Sequence, residues 1–187
     1  MRQSTIRPAT LGDVPAVAAI YAEVVENGTA SFELVAPSET EMADRFRSGS
    51  EAGYPWLIAD DEGVVVGFAY AGPYRERPGY RHTVQDAIYM TPTARGRGVG
   101  RALLTALIDE AERLGFRQMI AIVGDSANRA SIQLHAALGF MPIGVAHDVG
   151  RKHGRWLDTV MMQLSLGKGA LDSPDDEIGS AGGDGEG

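Results

Sequence analysis

A glycine-rich stretch at residues 95–101 constrains the fold of this chain more than any other part of its sequence. A short apolar run at residues 87–90 and a Thr-Pro break precede it, as at the end of a strand. The apolar residues that follow recur every three or four positions and predict an amphipathic helix; they are Val99, Leu103, Leu104, Leu107, Ile108, Ala111 and Leu114. The first turn of a helix has unpaired N–H groups and a partial positive charge, and glycines let an anion approach it. With Arg95, Arg97 and Arg101 beside it, this turn predicts a diphosphate-binding site.

Two other phosphate-binding patterns differ from this stretch in spacing. A P-loop ends in Gly-Lys-Ser/Thr, whereas residues 100–102 read Gly-Arg-Ala. A dinucleotide fingerprint has Gly-x-Gly-x-x-Gly directly after its strand, whereas here a spacer intervenes and the third glycine comes one position early. On spacing alone, a short glycine loop with merely solvated arginines stays an open alternative.

The composition of the chain limits which classes of protein and partner remain open. The 187 residues are enough for one domain with a full core, and the absence of cysteine excludes disulfides and a thiol nucleophile. A formal net charge of −8 argues against nucleic acid as a partner. No apolar run has the roughly 18 residues of a membrane span, and the N-terminus lacks a signal-peptide pattern. We therefore expect a cytoplasmic protein without a membrane partner.

The periodic patterns predict the element order β-α-α-β-β-β-α-β-α-β-β, which is an α/β fold with a mixed sheet. Capping boxes at Thr10 and Ser38 start the first two helices, the second ending near residue 46 or 48. The last two strands are expected to be joined by a loop at residues 149–155. Residues 167–187 are rich in Gly, Ser and Asp and predict a disordered acidic tail, so that the domain spans residues 1–166.

Two motifs resemble those of the GNAT N-acetyltransferase superfamily. Residues 95–100 (Arg-Gly-Arg-Gly-Val-Gly) resemble its acetyl-CoA pyrophosphate loop, and residues 128–140 resemble its helix motif Asn-x-x-Ala/Ser-x-x-Leu-Tyr-x-x-x-Gly-Phe. The resemblance implies the GNAT (acyl-CoA N-acyltransferase) fold, a mixed central sheet flanked by helices. It implies acetyl-CoA as co-substrate and implies no metal. The cofactor-binding residues that it implies are Ile88, Tyr89, Met90, Arg95, Gly96, Arg97, Gly98, Val99, Gly100, Arg101, Asn128 and Ser131.

His135 stands where that helix motif has a tyrosine near the CoA sulfur, which narrows the resemblance. The phosphinothricin/methionine sulfoximine acetyltransferase branch has a histidine there, and the stretches at residues 29–33, 74–77, 80–84 and 150–158 resemble it too. This branch implies acetylation of the α-amine of a small amino acid by a homodimer. It implies Phe32, Arg75 and Arg77 as substrate-binding residues, guanidinium groups being suited to bidentate binding of carboxylates.

The chain departs from the branch at the proton acceptor. The branch has a glutamate, proposed as general base, where this chain has Gln85, and a glutamine cannot accept a proton at neutral pH. Asp86 follows, but strand alternation is expected to turn it to the opposite face of the sheet unless a bulge re-aims it. The candidate catalytic residues are thus His135, Gln85 and Asp86. The base lies among His135, Asp86 and a water chain, and we favour His135 because it titrates near neutrality.

Two other functions stay open at this point. One is acetylation of a different amine, such as a polyamine or a protein N-terminus, which the Arg75/Arg77 pair disfavours for a polycation. The other is a non-catalytic acyl-CoA sensor, which stays open because Gln85 stands in place of the expected general base. Fold alone does not choose between them.

Overall fold

The computed structural model describes residues 4–171, 173 and 174. The described strands are β1 (Thr5–Pro8), β2 (Trp56–Asp61), β3 (Val64–Pro73), β4 (Thr83–Met90), β5 (Gln118–Gly124), β6 (Met141–Lys152) and β7 (Arg155–Ser165). The described α-helices are α1 (Val14–Asn27), α2 (Glu39–Glu51), α3 (Val99–Arg113) and α4 (Arg129–Ala137). The predicted order of elements and the mixed α/β fold are confirmed.

The strands form one sheet in the order β1-β2-β3-β4-β5-β7-β6. Its neighbours are antiparallel except β4 and β5, which pair in parallel from Thr83 opposite Gln118 to Asp86 opposite Ala121. Beyond those residues β4 continues paired with β3, and β5 continues paired with β7. The parallel pair therefore ends in the middle of the sheet, and both strands present unpaired edges to the gap.

Helices cover both faces of the sheet. The core under α1 and α2 contains Trp56, Ile58 and Phe68, while the core under α3 contains Leu103 and Leu104, both fully buried. Burying a leucine side chain contributes roughly 1.5–3 kcal/mol to the stability of the fold. The two apolar layers therefore determine which side chains of each strand face α1 and α2 and which face α3.

The alternation of β4 follows from those layers. Val84 belongs to the core under α3, and Tyr89 packs against the core under α1 and α2. Because successive side chains alternate, Gln85 and Ala87 share the face of Tyr89, whereas Asp86 shares the face of Val84.

The two predicted capping boxes are present. The Thr10 N–H donates to Asp13 Oδ2 at 2.8 Å, and the Ser38 N–H donates to Glu41 Oε2 at 2.7 Å while Ser38 Oγ accepts from the Glu41 N–H. The helix after Ser38 runs to Glu51, about a turn longer than predicted.

The last hairpin differs from the prediction of a loop at residues 149–155. β6 runs on to Lys152, and His153 and Gly154 alone form the turn, with φ of +49° and +77°. Two successive residues with positive φ suit the tight turn that matches strand twist. The pairing of β6 with β7 shifts between Ala146 and Gly150, which interrupts the alternation that would reveal a continuous strand.

The described end of the chain forms turns, with hydrogen bonds from the Gly169 N–H to Leu166 O and from the Leu171 N–H to Lys168 O. The rest of the predicted tail, residue 172 and residues 175–187, lies outside the described residues, so its disorder stays a prediction. Among the residues that are described, no helix is long and apolar enough to cross a membrane.

Candidate active site

A cavity of about 930 Å³ opens where the parallel pairing of β4 and β5 ends. Its wall includes the end of α1, the loop that follows, the glycine-rich turn and one face of α4. Most of the residues predicted for the site line it, namely Phe32, Gln85, Asp86, Ile88, Tyr89, Met90, Arg95, Gly96, Gly98, Gly100, Arg101, Asn128, Ser131 and His135. The other four, Arg75, Arg77, Arg97 and Val99, are not part of this wall.

The glycine-rich turn forms the N-terminus of α3. Gly98 caps the helix in the left-handed region with φ of +82°, and no side chain supplies the cap hydrogen bond. A Cβ at Gly98 would have no atom within 4 Å, so the backbone there is open to a ligand. The guanidinium-bearing residues Arg95 and Arg101 line the same end of the cavity. Free N–H groups, the helix dipole and two cations make this end suited to a diphosphate.

The remaining residues of that turn hold it in place. Arg97 donates to Asp61 Oδ2 at 2.9 Å, which ties the turn to the end of β2. Val99 is buried in the core. A Cβ at Gly100 would lie 2.6 Å from Met90 Cε, so this glycine allows α3 to approach β4 closely.

Asp86 and His135 form a buried pair at the middle of the cavity. His135 Nε2 lies 3.0 Å from Asp86 Oδ2, and the two residues are 2% and 6% exposed. Asp86 faces the opposite side of the sheet from Gln85, as expected, but the expectation that this turns it away from the site is wrong, because His135 lies on that side. The pairing of β4 with both neighbours is regular at residues 85 and 86, so no bulge is involved. Helix α4 lies on the same side of the sheet as α3, which is the side that Asp86 faces by ordinary alternation.

The hydrogen bonds of His135 fix how many protons the pair holds. Nδ1 lies 2.7 Å from the carbonyl oxygen of Ser131, which can only accept, so Nδ1 carries a hydrogen. Nε2 and Asp86 Oδ2 then need one proton between them, either on the ring or on the carboxyl group. Burial lowers the pKa of His135, but the hydrogen bond and charge of Asp86 outweigh it and raise that pKa above its ordinary value. Asp86 Oδ1 is buried with no hydrogen-bond partner.

Phenolic and aromatic side chains line the opposite side of β4. Gln85 shares this side with Tyr70 and Tyr21, and burial raises the pKa of Tyr70 to about 12. The ring of Phe32 closes the wall against Gly150, where a Cβ would come within 2.2 Å of Phe32 Cε2. A compartment lined by the phenols of Tyr21 and Tyr70, the ring of Phe32 and the amide of Gln85 therefore opens from the same cavity as the Asp86–His135 pair.

The loop after α1 is held by a network that the sequence did not reveal. Tyr21 Oη lies 2.9 Å from Ser31 Oγ and donates to Glu33 Oε1 at 3.1 Å. The buried Lys152 donates from Nζ to the carbonyl oxygen of Ser31 at 2.8 Å, and Arg45 donates to Glu33 Oε1 at 2.7 Å. In the sequence, only the resemblance of residues 29–33 to the branch marks this loop, and that resemblance does not indicate which residues hold it.

Arg75 and Arg77 lie on the exposed segment between β3 and β4. The Arg75 guanidinium lies over the ring of Tyr74, 5.1 Å from its centroid, and 5.9 Å from that of Tyr80. These aromatic contacts orient Arg75, but both arginines remain outside the cavity wall.

Comparison with known proteins agrees with this geometry. A model of the acetyltransferase (GNAT) family matches residues 19–140. The chain is 50% identical over 171 residues to a phosphinothricin N-acetyltransferase of Alcaligenes faecalis, an alignment that covers 91% of this chain and 87% of that protein. It is 41% identical over 167 residues to an L-methionine sulfoximine/L-methionine sulfone acetyltransferase of Pseudomonas paraeruginosa, covering 87% and 95%.

A solved structure is similarly close. The phosphinothricin acetyltransferase of Sinorhizobium meliloti, crystallised in complex with acetyl-CoA, superimposes with a TM-score of 0.91 and 47% identity over 94% of this chain and 95% of that one. The family model covers well over half of the chain, and the relatives align over nearly their whole length. The chain therefore belongs to the acetyltransferase (GNAT) family.

Proposed function

We propose that this chain transfers the acetyl group of acetyl-CoA to the α-amine of a small amino acid of the phosphinothricin or methionine sulfoximine type. One observation carries the proposal: a single cavity joins a diphosphate-binding helix N-terminus to a buried proton-holding pair and an aromatic compartment. The relatives at 50% and 41% identity bear the names of enzymes for those two substrates.

The residues of the wall fit acetyl-CoA. Gly98 leaves open space at the start of α3, and Arg95 and Arg101 supply charge for the diphosphate. Asn128, the N-cap residue of α4, and Ser131, in its first turn, line the cavity and are suited to the pantetheine arm. When bound, the thioester supplies the acetyl group and a thiolate leaving group. The unpaired edges of β4 and β5 offer backbone hydrogen bonds to the part of acetyl-CoA between the diphosphate and the thioester.

The Asp86–His135 pair acts as the proton donor in this proposal. A pair that holds one proton between Nε2 and Oδ2, with Nδ1 already donating to Ser131, has no free acceptor on the ring for an amine. The hydrogen bond and charge of Asp86 raise the pKa of His135, which favours retention of this proton. The pair can then supply that proton as the thiolate leaves. This assignment reverses the direction expected from sequence, where His135 was favoured as the base.

Recognition of the amino acid requires a cation for its carboxylate, and the Arg75/Arg77 pair remains the candidate. Replacing both by alanine is expected to raise KM for the amino acid by about 10- to 150-fold, because a hydrogen bond to a charged group contributes about 1.5–3 kcal/mol. KM for acetyl-CoA is expected to stay unchanged. If the double variant raised KM equally for an uncharged amine, Arg75 and Arg77 would be solvated loop residues that do not bind the carboxylate.

A panel assay of thiol release from acetyl-CoA tests the proposed function. We expect phosphinothricin and methionine sulfoximine to give the highest kcat/KM, other amino acids less, and spermidine little. A preference for spermidine or for a peptide N-terminus would contradict the proposed substrate class. Thiol release no faster than without any amine, at an acetyl-CoA concentration that saturates binding, would indicate a sensor.

Cytoplasmic location and a homodimer belong to the same proposal. The hairpin of β6 and β7 exposes apolar side chains at Met141, Ile143, Val145, Val149 and Trp156, which is more than isolated surface residues. Such a surface at the edge of a sheet is typical of a subunit contact. Sedimentation equilibrium tests it, with Val145→Glu expected to shift the mass toward that of a single chain.

A further inference from the structure

The proposed function leaves one proton without an acceptor. An α-amine is protonated at neutral pH and attacks only after losing a proton. Gln85 cannot accept it, and the Asp86–His135 pair already holds one. Asp125 also lines the cavity, but hydrogen bonds from the Ala127 N–H, Arg155 and Thr29 hold its pKa below the ordinary value. The acceptor must be sought elsewhere on the wall.

Tyr21 offers a hydrogen-bonded path from the cavity to the surface. It lines the cavity, its hydroxyl donates to Glu33 Oε1, and Ser31 Oγ lies 2.9 Å from the same hydroxyl. The Glu33 side chain is 35% exposed, so its carboxylate meets solvent. The phenol is on the side of β4 that Gln85 faces, opposite the side of Asp86.

We propose that Tyr21 and Glu33 carry the proton of the substrate ammonium out of the cavity. This rests on the proposed function. The Tyr21 oxygen accepts the proton from the ammonium nitrogen while its own hydroxyl proton passes to Glu33 Oε1. Glu33 then releases it to solvent, and the neutral amine retains the electron pair that forms the new C–N bond. Tyr21 is the group that touches the amine, and Glu33 acts through it.

The surroundings of Tyr21 favour a concerted relay over a phenolate. Burial raises the pKa of Tyr21, the hydrogen bond to Ser31 opposes that rise, and the charge of Glu33 adds to it. The phenol is therefore uncharged at neutral pH and must give up one proton as it takes another. Other charged and titratable groups face this pair from four neighbouring elements: Arg45 from α2, Tyr70 from β3, Tyr89 from β4 and Lys152 from β6.

The test compares pH profiles of Tyr21→Phe and Glu33→Gln with the wild type, using the best amino acid of the panel. Each variant is expected to lower kcat/KM about 10²-fold near pH 7, the lower end of what a positioned acid or base contributes. The deficit should shrink as the pH rises past the pKa of the amine, because free amine then needs no acceptor. KM for acetyl-CoA should not change. Matched controls are Tyr54→Phe, outside the cavity wall, and Glu110→Gln, which breaks a surface pair with Arg113.

Three results would overturn the relay. A deficit that is the same at every pH would mean that Tyr21 and Glu33 only hold the loop. Wild-type rates in both variants would exclude them from proton transfer. Glu23 is a carboxylate that lines the cavity. If Glu23→Gln lost the pH-dependent limb of kcat/KM, Glu23 and not Tyr21 would be the proton acceptor. If Tyr21→Phe fails to fold, Glu33→Gln, a change at a partly exposed side chain, decides alone. Wild type without activity on any amine would instead refute the proposed function.

Discussion

Replacing Asp86 by asparagine tests whether the buried pair holds a proton. In the wild type, Nε2 faces a carboxylate oxygen at 3.0 Å, and the ring is stabilised as a cation. An asparagine can donate its N–H to an unprotonated Nε2, so it stabilises the neutral ring instead. Removing a hydrogen bond to a charged group costs about 1.5–3 kcal/mol. At 1.36 kcal/mol per tenfold, the proton affinity of His135 should fall by roughly 10- to 150-fold.

NMR titration of the His135 ring signals measures this directly. In the wild type the His135 pKa should lie above the ordinary histidine value, and in Asp86→Asn below it, because burial then outweighs the remaining hydrogen bond to Ser131. Asp109→Asn, an exposed carboxylate on α3, is the control and should leave the titration unchanged. An unaltered His135 titration in Asp86→Asn would refute the shared proton.

Asp86→Asn is also expected to lower the stability of the fold by an amount that depends on pH. A pKa that folding raises contributes stability below the unfolded pKa of about 6.5, and this is lost as the pH rises through the folded pKa. The wild type should therefore exceed Asp86→Asn in Tm most clearly below that pH, with the gap narrowing above it. A gap that widens with rising pH would contradict the assignment of the proton.

Three further substitutions probe the diphosphate turn, the aromatic wall and the N-terminal network. Gly98→Asp should abolish the stabilisation by acetyl-CoA, about 2.7 kcal/mol at a hundred times Kd, whereas Gly98→Asn should keep part of it; equal shifts in a melting assay would argue against a diphosphate there. Gly150→Ala should raise KM for the amine by crowding Phe32, while Gly144→Ala, with 3.9 Å of clearance, should not. Asp13→Asn should cost roughly 1.5–3 kcal/mol in urea unfolding at pH 7 and progressively less as the pH falls, because hydrogen bonds from Arg7 lower the Asp13 pKa; a cost independent of pH would contradict this.

The element order and the diphosphate turn could be predicted because both rest on local pattern. Capping boxes, strand alternation and the spacing of apolar residues in α3 depend on near neighbours in sequence. The hairpin turn at His153 could not be predicted, since a register shift in β6 hides the alternation on which strand prediction depends.

The geometry of the proton-transfer groups depends on tertiary packing that no local pattern carries. Alternation predicted correctly that Gln85 and Asp86 face opposite sides of the sheet, but which side α4 packs against is a property of the whole fold. The partner of Asp86 lies 49 positions along the chain. The path from Tyr21 to Glu33 likewise joins a helix to the loop after it, and that loop is held by Lys152 from the far end of the chain.

Acetyl transfer to the amino acid is tested most directly by following the acetyl group itself. Acetyl-CoA labelled with ¹³C in the acetyl carbonyl is incubated with the protein and methionine sulfoximine, and the label is located by NMR. We expect the label to move to an amide on the α-nitrogen of the amino acid, with one equivalent of CoA thiol released. Label that stays in acetyl-CoA, or that appears as free acetate without an amide, would contradict this.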